Sequence, residues 1–114
     1  RVSARALEAV ERILDGGGDS DDVLRAVVAT LADEPDIAWA GIRFLERGAL
    51  VQGPEAGSPD ESRRTRTRVV YQGDPVGELA VDGDLERASR ERVAELIAAH
   101  VLLGWDTGGE AWEP

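Results

Sequence analysis

Residues 37–53 read IAWAGIRFLERGALVQG, and the period of this stretch decides the fold class. Its first ten residues alternate two rows. Ala38, Ala40, Ile42 and Phe44 form one, and Trp39, Gly41, Arg43 and Leu45 the other. A period of two is the pattern of a strand with unlike faces. The run breaks at Gly48 and resumes as a second, shorter strand, so the stretch predicts a hairpin. Upstream the period is helical. Ala6, Leu7, Val10, Ile13 and Leu14 share one stripe with Glu8, Glu11 and Arg12 opposite, between a Ser3 start and a Gly16–Gly18 stop. Ser20 is the expected N-cap of a second helix. Asp21 and Asp22 occupy its first turn, Val23, Leu24, Val27, Val28 and Leu31 its buried stripe, and Pro35 its exit.

Downstream, RRTRTRVVYQ (63–72) and PVGELAVDG (75–83) read as two more strands, with turn chemistry at Gly73-Asp74-Pro75. The stretch 84–104 is a last helix. Ser89 is its expected N-cap, Val93, Leu96, Ile97, His100 and Val101 its apolar face, and Gly104 its C-cap. The order ααββ–loop–ββα predicts an α+β fold: an antiparallel sheet of about four strands with three helices packed on one face. Residues 1–114 are expected to form a single minimal domain, with 104–114 as a tail whose Trp105 and Trp112 dock either on the domain itself, the reading we favour, or on a partner.

The chain carries 23 acids against 13 bases, every base is Arg, and the net charge is −10. That charge repels phosphate backbones and anionic lipid, so no nucleic-acid or membrane partner is expected. Two explanations fit the Lys-free, acid-rich composition: GC-rich codon usage, which we favour, and salt adaptation. No run approaches the roughly 20 apolar residues of a membrane span. There is no Cys and one His, hence no disulfide, no thiolate nucleophile and no His-rich or Cys-based metal site. A cytoplasmic location is expected, with no cofactor and no metal. Asp82-Gly83-Asp84 lacks the spaced oxygen ligands and closing Glu of an EF-hand. His100 reads as a packed core residue. Arg63, Arg64, Arg66 and Arg68 read either as a phosphate or acidic-peptide site or, the reading we favour, as edge-strand charges that pair with the acidic loop and deter aggregation.

The order of elements, with AWAGIRFLERGALVQGPEAG (38–57), resembles the GAF domain, and more narrowly the GAF-type free methionine-(R)-sulfoxide reductases. Trp39, Gly41, Leu50, Val51, Gly53, Pro54 and Gly57 match the first hairpin of those reductases, and RVVYQGDPVGELAVDGD (68–84) resembles their closing hairpin. The resemblance implies helices on one sheet face and a ligand on the other. It also implies redox cysteines and a lid in the interval that here is only SPDESR (58–63), so that LVQGPEAGSPDESRRTRTRVVY (50–71) reads as a gap closed by a short loop. Of the family's ligand-gripping acids, the resemblance places Thr67 at the Glu position and Ala80 at the first Asp of the D-I-D motif, while Asp82 survives at its second Asp. The expectation is that the chain is not an enzyme, with reductase activity lost for want of a thiolate.

On that frame Ala40, Ile42, Phe44, Leu79 and Val81 face the helices. Trp39, Arg43, Thr67, Val69, Tyr71, Glu78 and Asp82 face the other way, onto an uncovered surface. Trp39, Arg43, Thr67, Tyr71, Glu78 and Asp82 are the candidate site, with Trp39 and Tyr71 as aromatic anchors and Arg43 reading an anion. The expected function is an interaction or regulatory module. The expected assembly is a homodimer formed over bare Trp39 and Tyr71, or else a complex with a protein partner. The alternative is a small-molecule sensor with a shallow site on the same face.

Overall fold

The computed structural model describes residues 2–108, with side chains from 5 to 102. Helix α1 (Val2–Gly16) and helix α2 (Ser20–Ala32) lead into strands β1 (Ile37–Glu46) and β2 (Ala49–Gly57). A single turn of 3₁₀ helix (Glu61–Arg63) precedes strands β3 (Arg64–Tyr71) and β4 (Asp74–Gly83), and helix α3 (Arg87–Gly108) follows. The four strands form one antiparallel sheet in the order β2-β1-β4-β3. This is the α+β architecture expected from the order of periods. No helix among the described residues is long and apolar enough to cross a membrane.

Both hairpins turn on two residues with positive φ, Arg47–Gly48 (53° and 82°) and Gln72–Gly73 (52° and 88°). Two-residue loops of that kind match the right-handed strand twist, and the glycine takes its share without a Cβ clash. Helix α2 packs on β1 and β2, α3 on β3 and β4, and α1 rests against both helices. The core between the layers holds Ile42, Leu79 and Val81 from the central strands and Val27, Leu31 and Ile97 from the helices, all fully buried. Phe44 is buried beside them, and Leu96 packs at the margin.

Several boundaries move. The N-cap of α2 is Asp19, whose carboxylate accepts from the Asp21 N–H at 3.2 Å, while Ser20 is already helical. Both are good caps, and the earlier one wins because it offers an acceptor to the dipole end. Ser89 lies inside α3, which starts at Arg87, and Gly104 is helical too, since the helix runs on to Gly108. Glycine permits a stop but does not impose one. Trp105 is thus in the helix by its backbone. Its side chain and the tail from 109 to 114, Trp112 included, lie outside the described residues.

One correction reaches the site. Thr67, Val69 and Tyr71 face the helices, not the opposite surface: Val69 is completely buried, and Tyr71 packs against the core. An uninterrupted hairpin would set Thr67 opposite Glu78. Instead the register shifts between Val69 and Val70, with Val70 opposite Pro75 and Val69 opposite Gly77. Val76 is the extra residue of a β-bulge, beside a proline that has no N–H to give the ladder. Beyond the bulge Arg68 faces Glu78, Arg66 faces Ala80 and Arg64 faces Asp82. A one-residue shift exchanges faces, and this one sets the arginine row on the outer face of the sheet.

Candidate functional site on the outer sheet face

The sheet face away from the helices carries Trp39 and Arg43 from β1, Glu78 and Asp82 from β4, and Arg64, Arg66 and Arg68 from β3. Trp39 pairs with Asp82 across the ladder, and its indole lies along its own strand over Gly41. A Cβ on Gly41 would stand 2.5 Å from the ring atoms Cη2 and Cζ2, so glycine is what lets the ring lie flat.

The ring is not bare. The Arg64 guanidinium stacks 4.4 Å from its centroid, and Arg43 approaches to 6.0 Å. The indole Nε1–H donates to Glu55 Oε1 at 2.9 Å. Arg64 is fixed in turn by a two-pronged bond to Asp82: Nε donates to Oδ1 at 2.7 Å and Nη2 to Oδ2 at 2.9 Å. Asp82 Oδ2 also accepts the backbone N–H of Asp60 at 2.7 Å, which ties the short loop down. That loop is held internally by Ser62 Oγ donating to Asp60 Oδ1 at 2.7 Å, while Glu61 lies 3.7 Å from Arg64. Trp39 is therefore 2 % exposed and Asp82 0 %. The expectation of an uncovered Trp39 is corrected: its own chain covers it, and with that the premise offered for a dimer over this residue falls.

The chemistry of the clamp follows from its charges. Hydrogen bonding from Arg64 holds the Asp82 carboxyl below its ordinary range against the opposing pull of burial, helped by the Asp60 N–H and the nearby Arg43. The same bond raises Arg64 above its already high value, with desolvation pulling the other way. Both remain ionised. Next along the face, Arg43 Nη1 meets Glu78 Oε1 at 3.0 Å and Arg43 Nε donates to Gln52 Oε1 at 3.1 Å. Glu78 sits between Arg43 and Arg68 and pairs with Arg43. Among the described residues neither Arg66 nor Arg68 makes an ion pair.

Toward the hairpin ends the face opens into a shallow depression of about 590 Å³, walled by Leu45, Leu50, Pro75, Arg66, Arg68 and Glu78. Leu50 is 47 % exposed. The structure thus gathers Trp39, Arg43, Glu78 and Asp82 from the candidate set and leaves Thr67 and Tyr71 behind the sheet. Arg64, Glu55 and Asp60 belong with the first four and were missed. For Arg64 the signal is the Arg/Thr alternation of RTRTR, which sets the arginines of β3 on one face; nothing in the local sequence marks Glu55 or Asp60. His100 lies half-buried on α3 with Nδ1 3.2 Å from Ser20 Oγ, a helix-to-helix contact away from this face. The carboxylates of Asp19, Asp21 and Asp22 lie within 4.8 Å of one another, but Asp19 caps α2 and Asp21 pairs with Arg25 at 2.9 Å. They read as a helix start.

No family model matches the chain, and no curated protein matches it. Solved structures do. The GAF domain of an Acinetobacter phosphoenolpyruvate-protein phosphotransferase superposes with a TM-score of 0.71 at 11 % identity, over 94 % of this chain and 96 % of that one. The fRMsr of Staphylococcus aureus in complex with substrate gives 0.68 at 14 %, over 87 % and 95 %. A type II free methionine-R-sulfoxide reductase from Thermoplasma acidophilum gives 0.61 at 19 %, over 72 % and 92 %. These matches correct the expectation that the chain is not an enzyme: reductases are among the structures that it resembles, and a loss of activity does not follow. Helices on one side, an open antiparallel sheet and these superpositions agree on one conclusion, that the chain has a GAF-like fold.

Proposed function

We propose that this chain is a regulatory module that works by binding a protein partner on its outer sheet face, around Leu45, Leu50, Arg66 and Arg68. The observation that carries the reading is the filled position of Trp39. The indole, Arg64 and Asp82 fill their part of the outer face with one another, at 2 % exposure for the ring and none for the carboxylate. What stays accessible is wide, shallow and partly apolar, with two arginines that have no carboxylate partner among the described residues. Small-molecule sites are concave and bury most of their ligand, whereas protein interfaces centre on exposed apolar and arginine side chains. The GAF-domain neighbours lend the reading support at the level of fold alone.

The test has two arms. A photo-crosslinking residue at position 50 should trap a partner whose complex is then rebuilt from purified components, and Leu50→Asp should weaken that complex by at least ~10-fold, about 1.4 kcal/mol. The second arm is a thermal-shift screen with nucleotides, amino acids and methionine sulfoxide. A compound that raises the melting temperature saturably, and loses that effect in Trp39→Phe, transfers the assignment to a small-molecule sensor.

A further inference from the structure

The exposed edge of β3 is out of keeping with the rest of the chain. In a molecule of net charge −10, Arg66 and Arg68 stand on this edge strand without carboxylate partners among the described residues, and α3 brings Arg87 and Arg90 alongside. These four arginines, with Thr67 and Glu91, line a groove of about 360 Å³ between β3 and the helix. Arg87 is answered by Glu91 at 3.1 Å, and Arg90 Nη1 donates to the Leu85 carbonyl at 2.6 Å. Arg66 and Arg68 are answered by nothing comparable, because Ala80 lies across from one and Glu78, across from the other, is committed to Arg43. Every second residue of β3 also turns its N–H and C=O away from the sheet, as on any edge strand.

We propose that β3 accepts an extended acidic segment of a partner protein as a fifth strand, its carboxylates alternating so as to meet Arg66 and Arg68 on the outer face. The inference rests on the interaction-module reading and supplies the partner's chemistry. Backbone pairing gives such an added strand its affinity, and alternate side chains give it selectivity. Charge also selects against the simplest competitor, a second copy of this chain joined β3 to β3. Antiparallel self-pairing would bring Arg66 and Arg68 against the same row of arginines, and like charges opposite each other are destabilising. An acidic strand turns that repulsion into cross-strand ion pairs. Salt should weaken the complex, since these charges are exposed.

A fluorescently labelled, capped peptide alternating glutamate and threonine tests this by anisotropy against the full chain. Saturable binding is expected, weaker by at least ~10-fold in the Arg66→Glu/Arg68→Glu variant, and lost when the peptide is N-methylated on alternate residues. A lysine–threonine peptide should not bind. Circular dichroism confirms that the doubly substituted protein is folded, as both side chains are exposed. Absent binding, binding that survives charge reversal, or binding indifferent to N-methylation overturns the proposal. So does inorganic polyphosphate competing with the same strength for wild type, which would mark a plain anion patch. If the peptide fails while the complex that depends on Leu50 still forms, only the acidic strand is refuted. If both fail, the module reading falls with it.

Discussion

Replacing Arg64 by Ala removes the centre of the clamp over Trp39, and its consequences can be worked from the geometry. Asp82 is fully buried and accepts three hydrogen bonds, two from Arg64 and one from the Asp60 N–H. The substitution leaves a buried carboxylate with one donor. Breaking a buried pair from one side costs about 3–5 kcal/mol, and the lost stacking of the cation on the indole adds about 1 kcal/mol. Water entering behind the truncated side chain returns part of this, because Arg64 itself sits at the surface with 9 % of its side chain exposed. A net loss of about 3 kcal/mol is expected, a large share of the 5–15 kcal/mol typical of a small domain. Urea unfolding followed by circular dichroism gives the loss, and tryptophan emission, measured with Trp105 and Trp112 replaced by Phe, reports the solvation of Trp39. The pH dependence supplies a second, independent sign. In wild type the Asp82 carboxyl lies below its ordinary value, so its contribution is complete above about pH 3.9 and disappears as the pH falls through the lower, folded value. Without Arg64 the largest cause of that lowering is gone, so the loss of stability on acidification through this carboxyl should be smaller than in wild type. A loss under 1 kcal/mol with an unchanged acid limb would mean that the clamp is ornamental, and would refute the account of a face closed by its own residues.

Gly41→Ala places a Cβ within 2.5 Å of the Trp39 ring, so overpacking should cost about 1–3 kcal/mol and shift the emission to the red; a neutral substitution would mean that the indole is free to move. Val69→Asp and Val70→Asp test the phase of β3, since one side chain is completely buried and its neighbour is 41 % exposed. The first should prevent stable folding and the second change stability by no more than about 0.5 kcal/mol, and reversed effects in denaturant titrations would restore the opposite phase. Phe44→Ala should cost about 3–5 kcal/mol by chemical denaturation, with a loss within error placing the residue outside the core.

The sequence by itself determined the elements and their order. Stripes of apolar residues in α1 and α2, the two-residue period from Ile37 to Glu46 and the turn glycines Gly48 and Gly73 are local signals, each written within a few residues of where it acts. They suffice for an antiparallel sheet with helices on one face. Which side chains meet on the outer face was decided by pairing across the sheet. The bulge at Val76 shifts β4 by one residue against β3. That single step replaces Thr67 with Arg68 opposite Glu78 and brings Arg64 onto Asp82. The alternation of RTRTR already held half of this answer, because a row of guanidiniums cannot be buried against helices while threonines face water. The other half lay in contacts between distant segments. Glu55 reaches Trp39 from 16 residues away and the Asp60 N–H reaches Asp82 from 22. A loop that reads as a bare gap in the sequence becomes a cover only when the folded chain supplies the carboxylate that holds it.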